Sequence, residues 1–268
     1  MARRLLRLEP PYLVSIAVVI GVGVAASATP WFKGQAPEYN PLDVATHVGY
    51  LNAYLDKRWL NPVYWTLAIE FQYYVLVGLI FPVLVAGNQV TRIAAVSTLA
   101  SMPILLPSVG GWFIAYYLPI FSAGILTFLL VQRLISALAY WSGISALAAY
   151  MLYFSGGAAG ATTAVATVAT ALALAYIRFP HIAVVAWLGT LSYSLYLLHV
   201  PISAKVINIT ARLGITQAVE ILAIALSFAA SLFAAYLLYM FVEKPSQAAA
   251  KRIGYAEGMG ASGQSTLR

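Results

Sequence analysis

The sequence predicts an all-α fold: a polytopic transmembrane helix bundle of about eight spanning helices. Three observations carry this expectation. Of the 268 residues, 62% are hydrophobic and 9% charged, against roughly 45–50% and 25% in ordinary soluble domains. The mean hydropathy is +0.85, and the apolar runs approach or reach the roughly 17–25 residues that a helix needs to cross a bilayer. The basic residues stand between those runs instead of clustering on one face, so the formal charge of +7 reads as an orientation signal and not as a nucleic-acid surface. This composition excludes a soluble enzyme, and no nucleic-acid partner is expected. The absence of Cys excludes disulfides, Cys-ligated zinc, iron–sulfur clusters and thiol nucleophiles.

In chain order the expected spans are Tyr12 to Ala28, Tyr64 to Ala86, Ile93 to Pro107, Gly111 to Val131, Leu134 to Phe154, Ala161 to Ile177, Ile182 to Ile202 and Gln217 to Val242. The first is preceded by Arg3, Arg4 and Arg7 and begins at Pro10-Pro11, since proline suits the first position of a helix. The same arginines, the apolar stretch and Ala26-Ser27-Ala28 also fit the plan of a cleavable signal peptide, against which Glu9-Pro10-Pro11 argues. Residues 30–61 form the one long polar connection. Its six aromatics (Trp31, Phe32, Tyr39, Tyr50, Tyr54, Trp59) and the near-helical apolar spacing from Leu42 to Leu55 predict a loop lying along the outer interface. The third run is short and holds Pro103 and Pro107, which need neighbouring groups to satisfy the carbonyls they free.

Glu220 opens the last run, where a carboxylate favours the positive end of the helix dipole. The membrane domain is expected over 1–244. Residues 245–268, rich in Gly, Ala and Ser, read as a disordered cytoplasmic tail. With the N-terminus inside, Arg3, Arg4, Arg7, Arg92, Arg133, Arg178, Lys244, Lys251, Arg252 and Arg268 fall inside, and Lys33, Lys57, Arg58, Lys205 and Arg212 outside. That bias obeys the positive-inside rule and places both termini in the cytoplasm.

An ionisable group inside a membrane helix costs on the order of 2.5–3.5 kcal/mol, so each is a functional candidate. Glu70 shares one helical face with Thr66, Tyr73 and Tyr74 by i, i+3 and i+4 spacing. Ser192, Tyr196 and His199 make a second stripe at i, i+4 and i+7. Glu70 lies eight residues after Pro62 and His199 six before Lys205. Both are therefore expected about 9–12 Å below the outer surface, at depths that allow one shared outward cavity. The alternative for each is helix glue, a buried polar group bonded across helices. His47, four residues after Asp43, is expected to be a solvated loop imidazole, and His181 beside Arg178 an interfacial flank. The sequence holds no G-x-x-x-x-G-K-[ST], no G-x-G-x-x-G after a strand, no G-x-S-x-G and no H-E-x-x-H, so a pump ATPase, a Rossmann enzyme, an α/β hydrolase and a zincin lose their support.

Several stretches, in order, resemble the integral membrane acyltransferase family 3, which includes O-antigen, peptidoglycan, Nod-factor and macrolide O-acyltransferases. Arg3-Arg4-Leu5-Leu6-Arg7-Leu8 with Pro10-Pro11-Tyr12 resembles the basic segment leading into the family's third helix. Asn61-Pro62-Val63-Tyr64-Trp65-Thr66-Leu67-Ala68-Ile69-Glu70 with Gln72 and Tyr74 is similar to its W-S-L-x-x-E-x-Q-F-Y helix. Ser192-Tyr193-Ser194-Leu195-Tyr196-Leu197-Leu198-His199 resembles its S-Y-x-x-Y-L-x-H segment, and Glu243-Lys244-Pro245 its E-x-P ending. The likeness spans almost the whole chain but begins at the family's third helix. The family's first helix, which carries an arginine and a histidine about three turns later, has no counterpart here, and the resemblance therefore implies a truncated gene, a misplaced start codon or a shortened chain.

The resemblance implies transfer of an acyl group, usually acetyl, from cytoplasmic acyl-CoA to a hydroxyl of an extracytoplasmic glycan or lipid-linked sugar. It also implies an integral protein of the bacterial inner (plasma) membrane, with acyl-CoA as a donor substrate and no bound cofactor or metal. The expected catalytic residues are Glu70, supported by Tyr73, and His199 with Tyr196. Arg3, Arg4 and Arg7 are expected to pair with the phosphates of coenzyme A, or else to act as orientation charge alone. Two rival readings stand beside this one: a transporter of glycan or a small solute, and a catalytically dead membrane scaffold.

Overall fold

The structure is a computed structural model that describes residues 2–29, 38–108, 110–178, 180–214 and 216–252. Among these residues every regular element is helical: α1 (Ala2–Ser27), α2 (Pro41–Ala45), α3 (Tyr64–Ala86), α4 (Gln89–Leu105), α5 (Leu118–Val131), α6 (Ala137–Ser155), α7 (Gly157–Tyr176), α8 (Ala183–Thr210), α9 (Gln217–Leu238) and α10 (Lys244–Arg252), with short 3₁₀ turns between some of them and a π turn, Tyr239–Glu243, between α9 and α10. Among the described residues seven helices are long and apolar enough to cross a membrane. The exception among the expected spans is α4: at 17 residues it is about 26 Å long, slightly under the roughly 30 Å hydrocarbon thickness.

The boundaries differ from expectation where local chemistry is ambiguous. Helix α1 does not start at Pro10-Pro11 but runs through them from Ala2. Two consecutive prolines remove two amide donors, which leaves the carbonyls of Leu6 and Arg7 without their intrahelical partners. The 245–268 segment begins as helix α10, whose sequence KPSQAAAKR is rich in helix formers and whose Ser246 and Ala250 are buried; residues 253–268 lie outside the described residues. So do 30–37 of the expected interfacial loop. Asn88, Ser136 and Thr216 cap α4, α6 and α9 through side-chain oxygens that accept from backbone amides, the usual way to satisfy a helix's first donors. Glu220 lies in the first turn of α9, as expected.

The chain divides into two compact units, 45–186 and 1–44 with 187–268. In the first, α5 is the hub: it packs against α4, α6 and α7, and 56% of its span is buried against 17–33% for the other spans. Its Leu126 seats over Gly143 of α6, where a Cβ would lie 2.7 Å from a Leu126 methyl. At one end of this unit Arg92 joins three segments. Its guanidinium donates to the carbonyls of Leu84 and Val85, in the last turn of α3, and of Leu134, each at 2.8 Å. Orphan carbonyls at a helix end thus receive a fixed fork of donors.

In the second unit α1 packs along α10 and the π turn. Tyr193 of α8 donates to the Leu8 carbonyl of α1 at 2.8 Å. Ser194 of α8 donates to a Glu243 carboxylate oxygen at 2.6 Å, and Gln247 to the other at 2.9 Å.

Candidate functional site

Helix α3 carries the first candidate cluster, and three of its polar and aromatic side chains turn out to be braces. The Gln72 amide is used at both ends: its oxygen accepts from the Ile114 amide at 2.9 Å, and its nitrogen donates to the Trp112 carbonyl at 3.4 Å. Trp65 meets Trp112 edge-on at 6.0 Å and lies 6.1 Å from Tyr117. Tyr73 stacks on Phe121 of α5 at 4.2 Å and 16°, so its ring is committed to the packing of α3 on the core. At 100° per residue, Thr66, Glu70 and Tyr74 lie on the side of α3 opposite Gln72, Val75 and Leu79, with Tyr73 at the edge of that face beside Thr66. Glu70 is half-buried there, and the Thr66 hydroxyl donates back to the Val63 carbonyl at 2.9 Å.

Helix α8 carries the second. His199 is half-buried, with Nδ1 2.9 Å from the Tyr196 carbonyl and 3.2 Å from that of Leu195. A carbonyl only accepts, so Nδ1 carries a proton, which leaves Nε2 as the nitrogen that can accept one. The Tyr196 ring lies 6.0 Å away, tilted by 44°. Ser192 is exposed and donates to its own helix at Gly189.

The two candidate clusters fall in different units, Glu70 and Tyr73 in 45–186 and Tyr196 and His199 in the other. Arg3, Arg4 and Arg7 occupy the first two turns of α1, in the same unit as His199; Arg4 and Arg7 are exposed and Arg3 is half-buried.

His47 corrects an expectation. It is not a solvated loop residue but fully buried (0% exposed), set edge-on to Trp59 and Tyr64. Its Nε2 accepts from the Leu60 amide at 3.2 Å and its Nδ1 lies 3.2 Å from the Asn52 amide nitrogen, which also donates to the Arg58 carbonyl at 3.0 Å. The segment from Thr46 to Asn61 is therefore a folded cap over the start of α3, with Thr46, Tyr50, Asn52 and Asn61 buried alongside His47. Spacing from Asp43 carried no signal of this, because the partners come from thirteen and five residues further on.

The buried Glu243 and its Ser194 partner stand in the sequence only as members of the two C-terminal motifs, with no role assigned to either. The available signal was the price of an acidic side chain at the end of a long apolar run. His181 is exposed near the start of α8, as an interfacial flank would be. Among the described residues no group of three His, Asp or Glu side chains is placed to hold a metal ion.

The profile of a family described as "Acyltransferase domain" matches residues 1–240. No curated protein and no solved structure matches the chain.

Proposed function

Because the chain belongs to acyltransferase family 3, an integral membrane acyltransferase family, we propose that it moves an acyl group, acetyl by preference, from cytoplasmic acyl-CoA to a hydroxyl of an extracytoplasmic glycan or lipid-linked sugar. The observation that carries the chemistry is the anchoring of His199. With Nδ1–H bonded to the Tyr196 carbonyl, Nε2 is the basic nitrogen, the state a general base requires.

In this reading the acceptor oxygen attacks the thioester carbonyl carbon while its proton passes to His199 Nε2. The C–S bond then breaks, and coenzyme A leaves with that proton as the free thiol. Glu70, supported by Tyr73 and Tyr74, is assigned to orienting a hydroxyl of the acceptor, and Tyr196 flanks the imidazole. Arg3, Arg4 and Arg7 hold the coenzyme A phosphates at the cytoplasmic end of α1, where guanidinium forks suit phosphate oxygens. The protein sits in the bacterial inner membrane with both termini cytoplasmic, the orientation that the charge bias favours.

The test uses membranes from a deletion host carrying the chain and radiolabelled acetyl-CoA. Label should reach glycan with the unmutated chain and fall by about 10²–10⁴-fold for His199→Ala, the range for loss of a general base. Glycan labelling that is equal in both, or uptake of glycan without transfer of label, contradicts the reading.

A further inference from the structure

The unit 45–186 holds a groove of about 320 Å³, at the small end of ligand sites. It runs along α3 past Ala68, Phe71, Gln72, Val75, Leu76 and Leu79. From Ala68 to Leu79 that is about 16 Å of helix, or half of a roughly 30 Å hydrocarbon layer. Its far end is open to the side: Val75 is 38% and Leu79 74% exposed. At the near end the cap closes it, with Tyr50 against Phe71 at 5.3 Å and Tyr54 edge-on to Phe113 at 6.3 Å.

Two features make this a built groove and not an accident of loose packing. Tyr50 holds a left-handed backbone (φ 60°) next to Gly49 (φ 79°), a costly conformation for a bulky residue that persists only where the surroundings enforce it; it turns the Tyr50 ring onto the groove. The opposite wall, Phe113 and Ile114, is fixed to the groove floor by both ends of Gln72.

We propose that this groove seats one hydrocarbon chain of an anionic phospholipid from the leaflet that borders the cap. The lining is apolar, its length fits one leaflet, and its mouth is aromatic, as is usual at the headgroup level. The cap supplies the complementary charge: residues 45–61 carry Lys57 and Arg58 against a single acid, Asp56. Both follow closely on Tyr54 and are tied to Asn52, whose carbonyl accepts from the Lys57 amide at 2.9 Å and whose side chain donates to the Arg58 carbonyl at 3.0 Å. The groove lies half a turn around α3 from Glu70, so the bound lipid is no part of the acyl-transfer reading and stands or falls apart from it.

The test is reconstitution of the full chain in vesicles of phosphatidylcholine and phosphatidylglycerol carrying a trace of diazirine-tailed phosphatidylglycerol, followed by irradiation and peptide mapping. Adducts should concentrate between Phe71 and Leu79, and unlabelled phosphatidylglycerol should compete several-fold better than phosphatidylcholine. Leu79→Trp, at the exposed rim, and Ala68→Trp should each lower the adduct yield several-fold. The double variant Lys57→Ala/Arg58→Ala should abolish the headgroup preference and leave the adduct positions unchanged. Adducts spread evenly over other exposed apolar residues, such as Phe228 and Leu174, would overturn the proposal, as would equal competition by both lipids against the unmutated chain.

Discussion

The hydrogen bond from Ser194 to Glu243 ties α8, the helix that bears His199, to the π turn at the end of α9, and its strength can be worked from the geometry. Both residues are buried, Ser194 at 0% and Glu243 at 1% exposed. The 2.6 Å separation is in the short range of a hydroxyl donating to a carboxylate. Hydrogen bonds to charged groups contribute about 1.5–3 kcal/mol, and a buried acceptor left without its partner adds about 1–3 kcal/mol. Ser194→Ala leaves the carboxylate only Gln247 of its two donors; together these figures span about 2.5–6 kcal/mol, and with one donor still in place the cost should fall in the lower half, about 2.5–4 kcal/mol. Glu243→Gln keeps the volume but places an amide between two donors, and should cost about 1–3 kcal/mol.

If the two side chains act as one unit, the double variant should be milder than the sum of the singles by about 0.5–3 kcal/mol. The assay is reversible unfolding in mixed micelles by titrating a denaturing detergent, with all four proteins measured under one condition. Effects that add to within about 0.5 kcal/mol would refute the claim that this bond couples α8 to the π turn.

Arg92→Ala should destabilise unit 45–186 by about 2–5 kcal/mol, since it strips three carbonyls of charge-assisted donors while water reaches part of the site. Arg92→Lys should recover less than half of the loss, because one ammonium cannot replace the planar fork; full recovery by Lys, read in the same unfolding assay, would show that charge alone matters. His47→Ala should cost about 2–4 kcal/mol through a cavity plus an unpaired Leu60 amide and open the cap to limited proteolysis between 46 and 61; an unchanged cleavage pattern would count against a folded cap. Burial raises the phenol pKa values of Tyr39 and Tyr54 above the ordinary 10.0. The unfolded chain therefore ionises first, and their contribution is complete below pH 10 and is lost as pH rises through the folded values. Tyr54→Phe should flatten that alkaline decline in a thermal-shift series, and an equally steep decline in the variant would contradict the assignment.

Much of the bundle was legible because the bilayer imposes a length and an apolarity that a run of side chains either meets or fails. Tyr64 to Ala86 coincides with α3 at both ends, and the start of α9 at Gln217 is where expected. Boundaries slipped where helix formers continue beyond the apolar run, as at Ala2 to Glu9 and Lys244 to Arg252, because hydropathy registers the bilayer and not the end of the helix. The candidate site was half legible. Spacing placed Thr66, Glu70, Tyr73 and Tyr74 on one face of α3, but it could not tell that Tyr73 stacks on Phe121 or that Gln72 braces a turn forty residues away. Such contacts are set by long-range packing, which a periodic pattern on one helix does not encode. His47 shows the same limit more sharply: a polar residue on a connecting segment reads as solvated until the segment's own fold closes around its ring.

The central claim is that Glu70 and His199 are each reached from the outer face of the membrane, and the absence of Cys from the chain makes it directly measurable. In sealed right-side-out vesicles, Glu70→Cys and His199→Cys should each react with a small membrane-impermeant maleimide before the vesicles are opened. Labelling of either position only after the vesicles are opened would contradict the account.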